Sequence, residues 1–293
     1  MAISRQRLIE LIGLDEPSVE LVSTHVVEHS TYAVETLRLR LGELEVRGLL
    51  TRPLHPAGRL PAILYAHSHG GGYSIGATEL LDGRDYLVDP LGPVFAHAGY
   101  VTLCIDMPVF GERSNVGESA AAKALLWMGK SLFGQMLSEQ AAALTYLASR
   151  TDVDPSRIGA FGISMGSTLS YWLAAMDPRL KAVAHLCCFA DQRTMIELGA
   201  HDGHGIYMTV PGLLAETDAG VIAALIAPRP QLVCIGEADS LTPPLAVARA
   251  WAELEPAYAA TPDTLQLVSE PGIGHQETPK SRAAMLAFFA RHL

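Results

Sequence analysis

The sequence predicts an α/β protein: a mostly parallel, twisted sheet with helices on both faces, preceded by an N-terminal antiparallel meander. Three observations predict it. Beyond about residue 60, short and nearly uninterrupted apolar runs alternate with amphipathic helical periods, the pattern of strands covered on both faces. Residues 21–53 instead alternate and are rich in Val, Leu and Thr, as in strands of a meander. No stretch rich in Pro, Gly or Ser divides the 293 residues, and 49% of them are hydrophobic, so one domain with a single large core is expected over 1–293.

The elements follow in order. The first 20 residues read as a short helix with Ile3, Leu8, Ile9, Leu11 and Ile12 apolar before Pro17. After the meander, strands are expected at 62–66, 101–105, 158–161, 182–186, 231–235 and 264–268. Helical periods lie between and after them near 87–98, 136–150, 165–176, 244–254 and 279–292. Parallel neighbours require right-handed crossovers. Ligands of such sheets bind beyond the carboxyl ends of the strands, so chemistry is sought just after each strand. Two connections, near 107–135 and 189–229, are longer than usual and would hang over that edge as lid-like insertions.

Charge narrows the partners. Lys and Arg number 21 against 31 Asp and Glu, a net charge of −10, which repels phosphate backbones and argues against nucleic acid. No apolar run approaches a membrane span. Glu10 and Asp15 fall where a signal peptide would stay apolar, so a cytoplasmic protein is expected. The four cysteines, Cys104, Cys187, Cys188 and Cys234, lie in or beside apolar strand-like runs and read as buried free thiols. A homo-oligomer is compatible with all of this.

The pattern G-x-S-x-G occurs twice, and a lone match is weak. In Gly162-Ile163-Ser164-Met165-Gly166 it joins a buried strand to the helical run after Ser164, so the serine would sit on a tight strand-to-helix turn with its Oγ exposed. In Gly72-Tyr73-Ser74-Ile75-Gly76 it follows Gly70-Gly71 rather than a strand, and Ser74 reads as a loop residue. A serine hydroxyl needs a general base. Among eleven histidines, His275 stands just after the last strand, ahead of Thr278 as N-cap and Pro279 at the first helical position. The imidazole needs a carboxylate to fix its tautomer. Asp239 follows the strand at 231–235; Glu237 and Asp106 are competing carboxylates at the same edge. The order Ser164, Asp239, His275 is that of α/β-hydrolases.

An acyl-transfer site also needs N–H donors for the oxyanion. One would be Met165, the residue after the nucleophile. The other would come from His67-Ser68-His69-Gly70-Gly71-Gly72, with His69 first and Gly70 next.

Together these residues resemble the α/β-hydrolase superfamily, in particular its dienelactone hydrolase and acetyl xylan esterase-like group, and also the catalytic domain of prolyl oligopeptidases. The resemblance runs from about residue 20 to the end. It rests on His67-Ser68-His69-Gly70-Gly71, the elbow at Ser164, Asp152-Val153-Asp154-Pro155-Ser156-Arg157-Ile158, Gly236-Glu237-Ala238-Asp239 with Pro243, and Gly274-His275. It implies the α/β-hydrolase fold, a Ser-His-Asp triad and no cofactor. Dienelactone hydrolases use cysteine where this chain has Ser164, which favours ordinary esters, and Ser68 stands where glycine is commoner.

The function expected is hydrolysis of a small carboxylic ester through an acyl-enzyme, with no metal. A peptidase or amidase using the same triad, and a non-catalytic binding protein of this fold, are the alternatives. Trp127 and Tyr207, with Met128, Phe133 and Met208, lie in the long connections and are expected either to line an apolar substrate pocket alongside Gly70 or to pack the lid onto the body. His201-Asp202-Gly203-His204 fits no strong metal-ligand spacing and reads as lid or loop.

Overall fold

The computed structural model describes residues 3–293. Its strands are β1 (Val19–Glu28), β2 (Tyr32–Leu41), β3 (Leu44–Pro53), β4 (Leu60–Ala66), β5 (Val101–Ile105), β6 (Val153–Ile163), β7 (Ala182–Leu186), β8 (Gln231–Gly236) and β9 (Leu265–Glu270). They form one sheet in the order β1-β2-β3-β5-β4-β6-β7-β8-β9. β1, β2 and β3 pair antiparallel and join β5 antiparallel; every pairing from β5 through β4 to β9 is parallel.

Burial follows that division. β5 and β7 are buried at every position, as expected of strands covered on both faces, whereas edge strand β1 is exposed along nearly its whole length. One large cluster, from Leu8 and Leu37 through Leu144 and Trp172 to Leu254, packs one face of the sheet. A second, built around Tyr65, Phe95, Phe161 and Phe289, packs the other.

Two helices begin away from their expected positions. The helix expected from 136 runs Leu132–Ser149, because Ser131 caps it by accepting from the Gly134 N–H at 2.9 Å. The helix expected from 87 starts at Leu91, after Pro90 at the N-cap. The capping expected at Thr278 is present, as a reciprocal box with Ser281. A further helix, Glu118–Trp127, occupies the first long connection. No helix among the described residues is long and apolar enough to cross a membrane. All four cysteines are buried free thiols.

Candidate active site

The parallel strands deliver their C-terminal ends to one edge, and the residues following β4, β6, β8 and β9 meet there. β6 ends at Ile163, and the helix Met165–Met176 begins two residues later. Ser164 bridges them at φ 59°, ψ −122°, a backbone conformation that costs a non-glycine residue about 1–3 kcal/mol. The surroundings enforce it. A Cβ on Gly166 would lie 1.9 Å from the Ala66 carbonyl oxygen, and one on Gly162 2.3 Å from Gly166, so only glycines allow the strand and helix to pack this closely. The Ser164 N–H donates to the Leu186 carbonyl at 3.0 Å, which ties the turn to β7.

His275 and Asp239 meet as the sequence predicts. Nδ1 of His275 donates to Oδ2 of Asp239 at 2.7 Å, which leaves Nε2 free to take a proton. Asp239 also accepts from the Leu241 N–H and the Thr242 hydroxyl, each at 2.9 Å. Burial pushes its carboxyl up, but the hydrogen bonds and the neighbouring imidazole pull harder, and the net shift is below the usual carboxylate range. The competitors are otherwise engaged. Asp106 is fully buried in a bidentate pair with Arg47 at 3.0 Å, and Glu237 is exposed and accepts from the Ser269 hydroxyl.

Ser164, His275, His69, Gly70 and Tyr207 line one cavity of about 310 Å³. The main-chain N–H of Ser68 is committed to Glu79 at 2.9 Å, while that of His69 has no partner among the described residues. Met165 opens its helix, where N–H groups have no intrahelical acceptor. Ser68, the departure from glycine, therefore has a local explanation: its hydroxyl and N–H anchor the loop on the fully buried Glu79, which also accepts from the Tyr65 hydroxyl.

One group that sequence reasoning missed is Glu118. Buried at the start of its helix, it accepts from His69 Nε2 and the Tyr73 hydroxyl, each at 2.7 Å, and from the Tyr207 N–H at 2.9 Å. The Gly71 N–H donates to His69 Nδ1 at 3.1 Å, so the His69 ring is held from both sides. Burial raises the Glu118 carboxyl, but the three donors outweigh it and the net shift is downward. Nothing in the local sequence marks Glu118, because its partners lie 45 to 89 residues away. Also unforeseen is Cys188, whose Sγ lies 3.8 Å from the Ser164 Oγ. Burial pushes this thiol up to about 12, so it stays protonated.

Trp127 is a correction. It is 91% exposed and does not line the cavity, nor does the exposed Met128. The helix turns its Glu118 and Ala122 face inward, and nine residues at about 100° each carry Trp127 to the opposite side. Phe133 packs in the core against Trp172, with ring centroids 4.9 Å apart. Tyr207 does reach the site, buried and stacked on the His69 ring at 5.4 Å. Among the described residues, the side chains close enough to share a metal are Cys187, Asp239 and His275. Two of these already bond each other, and burial holds the Cys187 thiol strongly protonated, so the set suits proton transfer better than coordination.

Residues 94–293 match the prolyl oligopeptidase family. The chain belongs to that family. A relative in Bacillus subtilis (strain 168), YtaP, described as a candidate hydrolase, is 37% identical over 99% of this chain and 98% of its own length. Solved structures with the same fold include a candidate acetyl xylan esterase from Bacteroides fragilis, with a TM-score of 0.74 and 20% identity over 91% of this chain and 73% of that one. An acetyl xylan esterase from Paenibacillus sp. R4 has a TM-score of 0.71 and 20% identity over 99% and 93%. Within the prolyl oligopeptidase family, then, this chain carries the α/β-hydrolase fold of structures named as esterases.

Proposed function

We propose that this chain is a serine carboxylesterase acting on small esters. The Ser164 Oγ attacks the ester carbonyl carbon as His275 Nε2 takes its proton. The carbonyl electron pair moves onto the oxygen, which the N–H groups of Met165 and His69 hold. Collapse expels the alcohol oxygen, and His275 gives it the proton. Water then attacks the acyl-serine with His275 again as base, releasing the acid and restoring Ser164. Asp239 keeps the imidazole in the working tautomer and stabilises its charged form.

The observation that carries this reading is the 2.7 Å bond from His275 Nδ1 to Asp239, beside a serine on a strained strand-to-helix turn that opens on the same cavity. The cavity volume of about 310 Å³ suits a small acyl group better than an extended peptide. The esterase names of the solved structures favour the ester over the amide. Steady-state rates on p-nitrophenyl acetate and its amide counterpart test the assignment, with Ser164→Ala as blank. Rapid, Ser164-dependent cleavage of the ester alone is expected; faster turnover of the amide would reverse it.

A further inference from the structure

Two cavities meet at one short segment. The smaller holds Ser164 and His275; the larger, about 550 Å³, is walled entirely by residues between 192 and 214. His204 and Gly205 line both, so a two-residue partition separates adjoining rooms. The larger room's carbon walls are Ile196, Ile206, Met208, Val210, Leu213 and Leu214; its polar lining comes from the half-buried Gln192 and from His201, Asp202 and Thr209, which are exposed. Ile196 is half exposed there, an apolar side chain left facing solvent beside a reactive centre.

The partition is wired to the acid–base side of the catalytic cavity. His204 Nε2 donates to the Leu241 carbonyl at 2.8 Å, and the Leu241 N–H donates to Asp239, which holds His275. In ester cleavage His275 must hand its proton to the departing alcohol oxygen, so the alcohol part lies on this side of the scissile bond. On the esterase reading above, we propose that the larger room is the leaving-group subsite and takes an uncharged, medium-length aliphatic alcohol. Aliphatic walls favour buried methylenes by roughly threefold to fourfold each. Burial, aided by the nearby His275, depresses the His204 imidazole against the pull of the Leu241 carbonyl, so the partition stays neutral toward hydrocarbon.

The test compares kcat/KM for ethyl, hexyl and octyl acetate with that for ethyl acetate, butyrate and octanoate. Octyl acetate should exceed ethyl acetate by about tenfold or more, while ethyl octanoate should not exceed ethyl acetate. Met208→Trp, which fills the room, and Ile196→Asp, at a surface position that folding tolerates, should each lower the octyl-to-ethyl ratio by about fivefold or more. A flat alcohol series, or a ratio unchanged in both variants, overturns the subsite while esterase activity stands. A gain along the acyl series that the variants erase overturns the assignment to the alcohol. Absence of Ser164-dependent cleavage of any ester takes down the esterase reading itself, and the subsite with it.

Discussion

G-x-S-x-G occurs at 162–166 and again at 72–76, and the two copies fold into unrelated structures. In both, the last glycine is sterically required: a Cβ on Gly166 would strike the Ala66 carbonyl, and one on Gly76 would lie 2.3 Å from the buried Asp106 carboxylate. The serines differ. Ser164 sits between a buried parallel strand and a helix, held at positive φ and 9% exposed, with the imidazole of His275 on the same cavity. Ser74 lies exposed in a turn with no strand before it. A short pattern thus specifies a tight bend, and the elements on either side decide whether its hydroxyl opens on a cavity that a histidine also lines.

The comparison breaks most sharply at the serines themselves. Ser164→Ala should lower kcat/KM on p-nitrophenyl acetate by roughly 10⁴-fold or more, and Ser74→Ala should stay within about twofold. Equal effects in steady-state kinetics would mean that strand context does not distinguish the copies. Asp239→Asn should cost about 10⁴-fold in kcat with folding intact by circular dichroism, because the imidazole loses its fixed tautomer. Glu118→Ala should lower kcat by roughly 10- to 100-fold, since His69 would lose the carboxylate that orients its loop, and Glu118→Gln should restore part of it. A change in KM alone would place Glu118 outside the transition state.

The elbow helix also packs on a buried histidine that the second copy lacks. Burial depresses His185 from its ordinary value near 6.5 to about 3, and its Nε2 accepts from the Gln231 amide at 2.9 Å. The folded chain therefore binds fewer protons here than the unfolded one. Its contribution is complete above pH 6.5 and is lost as pH falls toward 3. Urea unfolding at pH 4 should show this group costing about 3 kcal/mol relative to pH 6.5, and His185→Asn should flatten that limb. Smallest of all, Trp127→Ala should leave turnover within about twofold, because this side chain faces solvent.

Much of this was legible from residue order. Apolar runs located the parallel strands within a few residues, and helix capping at Thr278 was readable because its donors and acceptors are three positions apart. Glycine spacing, strand-end position and chain order picked out Ser164, Asp239 and His275. Trp127 was misjudged because its connection gave no helical phase in advance, and a helix decides by rotation which residues turn inward.

By itself the sequence determined the layered sheet, the tight turn at Ser164 and the three strand ends followed by Ser164, Asp239 and His275, because each depends on periodicity or on neighbours a few residues away. Only the tertiary structure decided that Glu118 clamps His69, that Tyr207 rather than Trp127 walls the cavity, and that a second room opens behind His204. Those contacts join segments tens of residues apart, and their energy comes from burying polar groups against partners that no local pattern names.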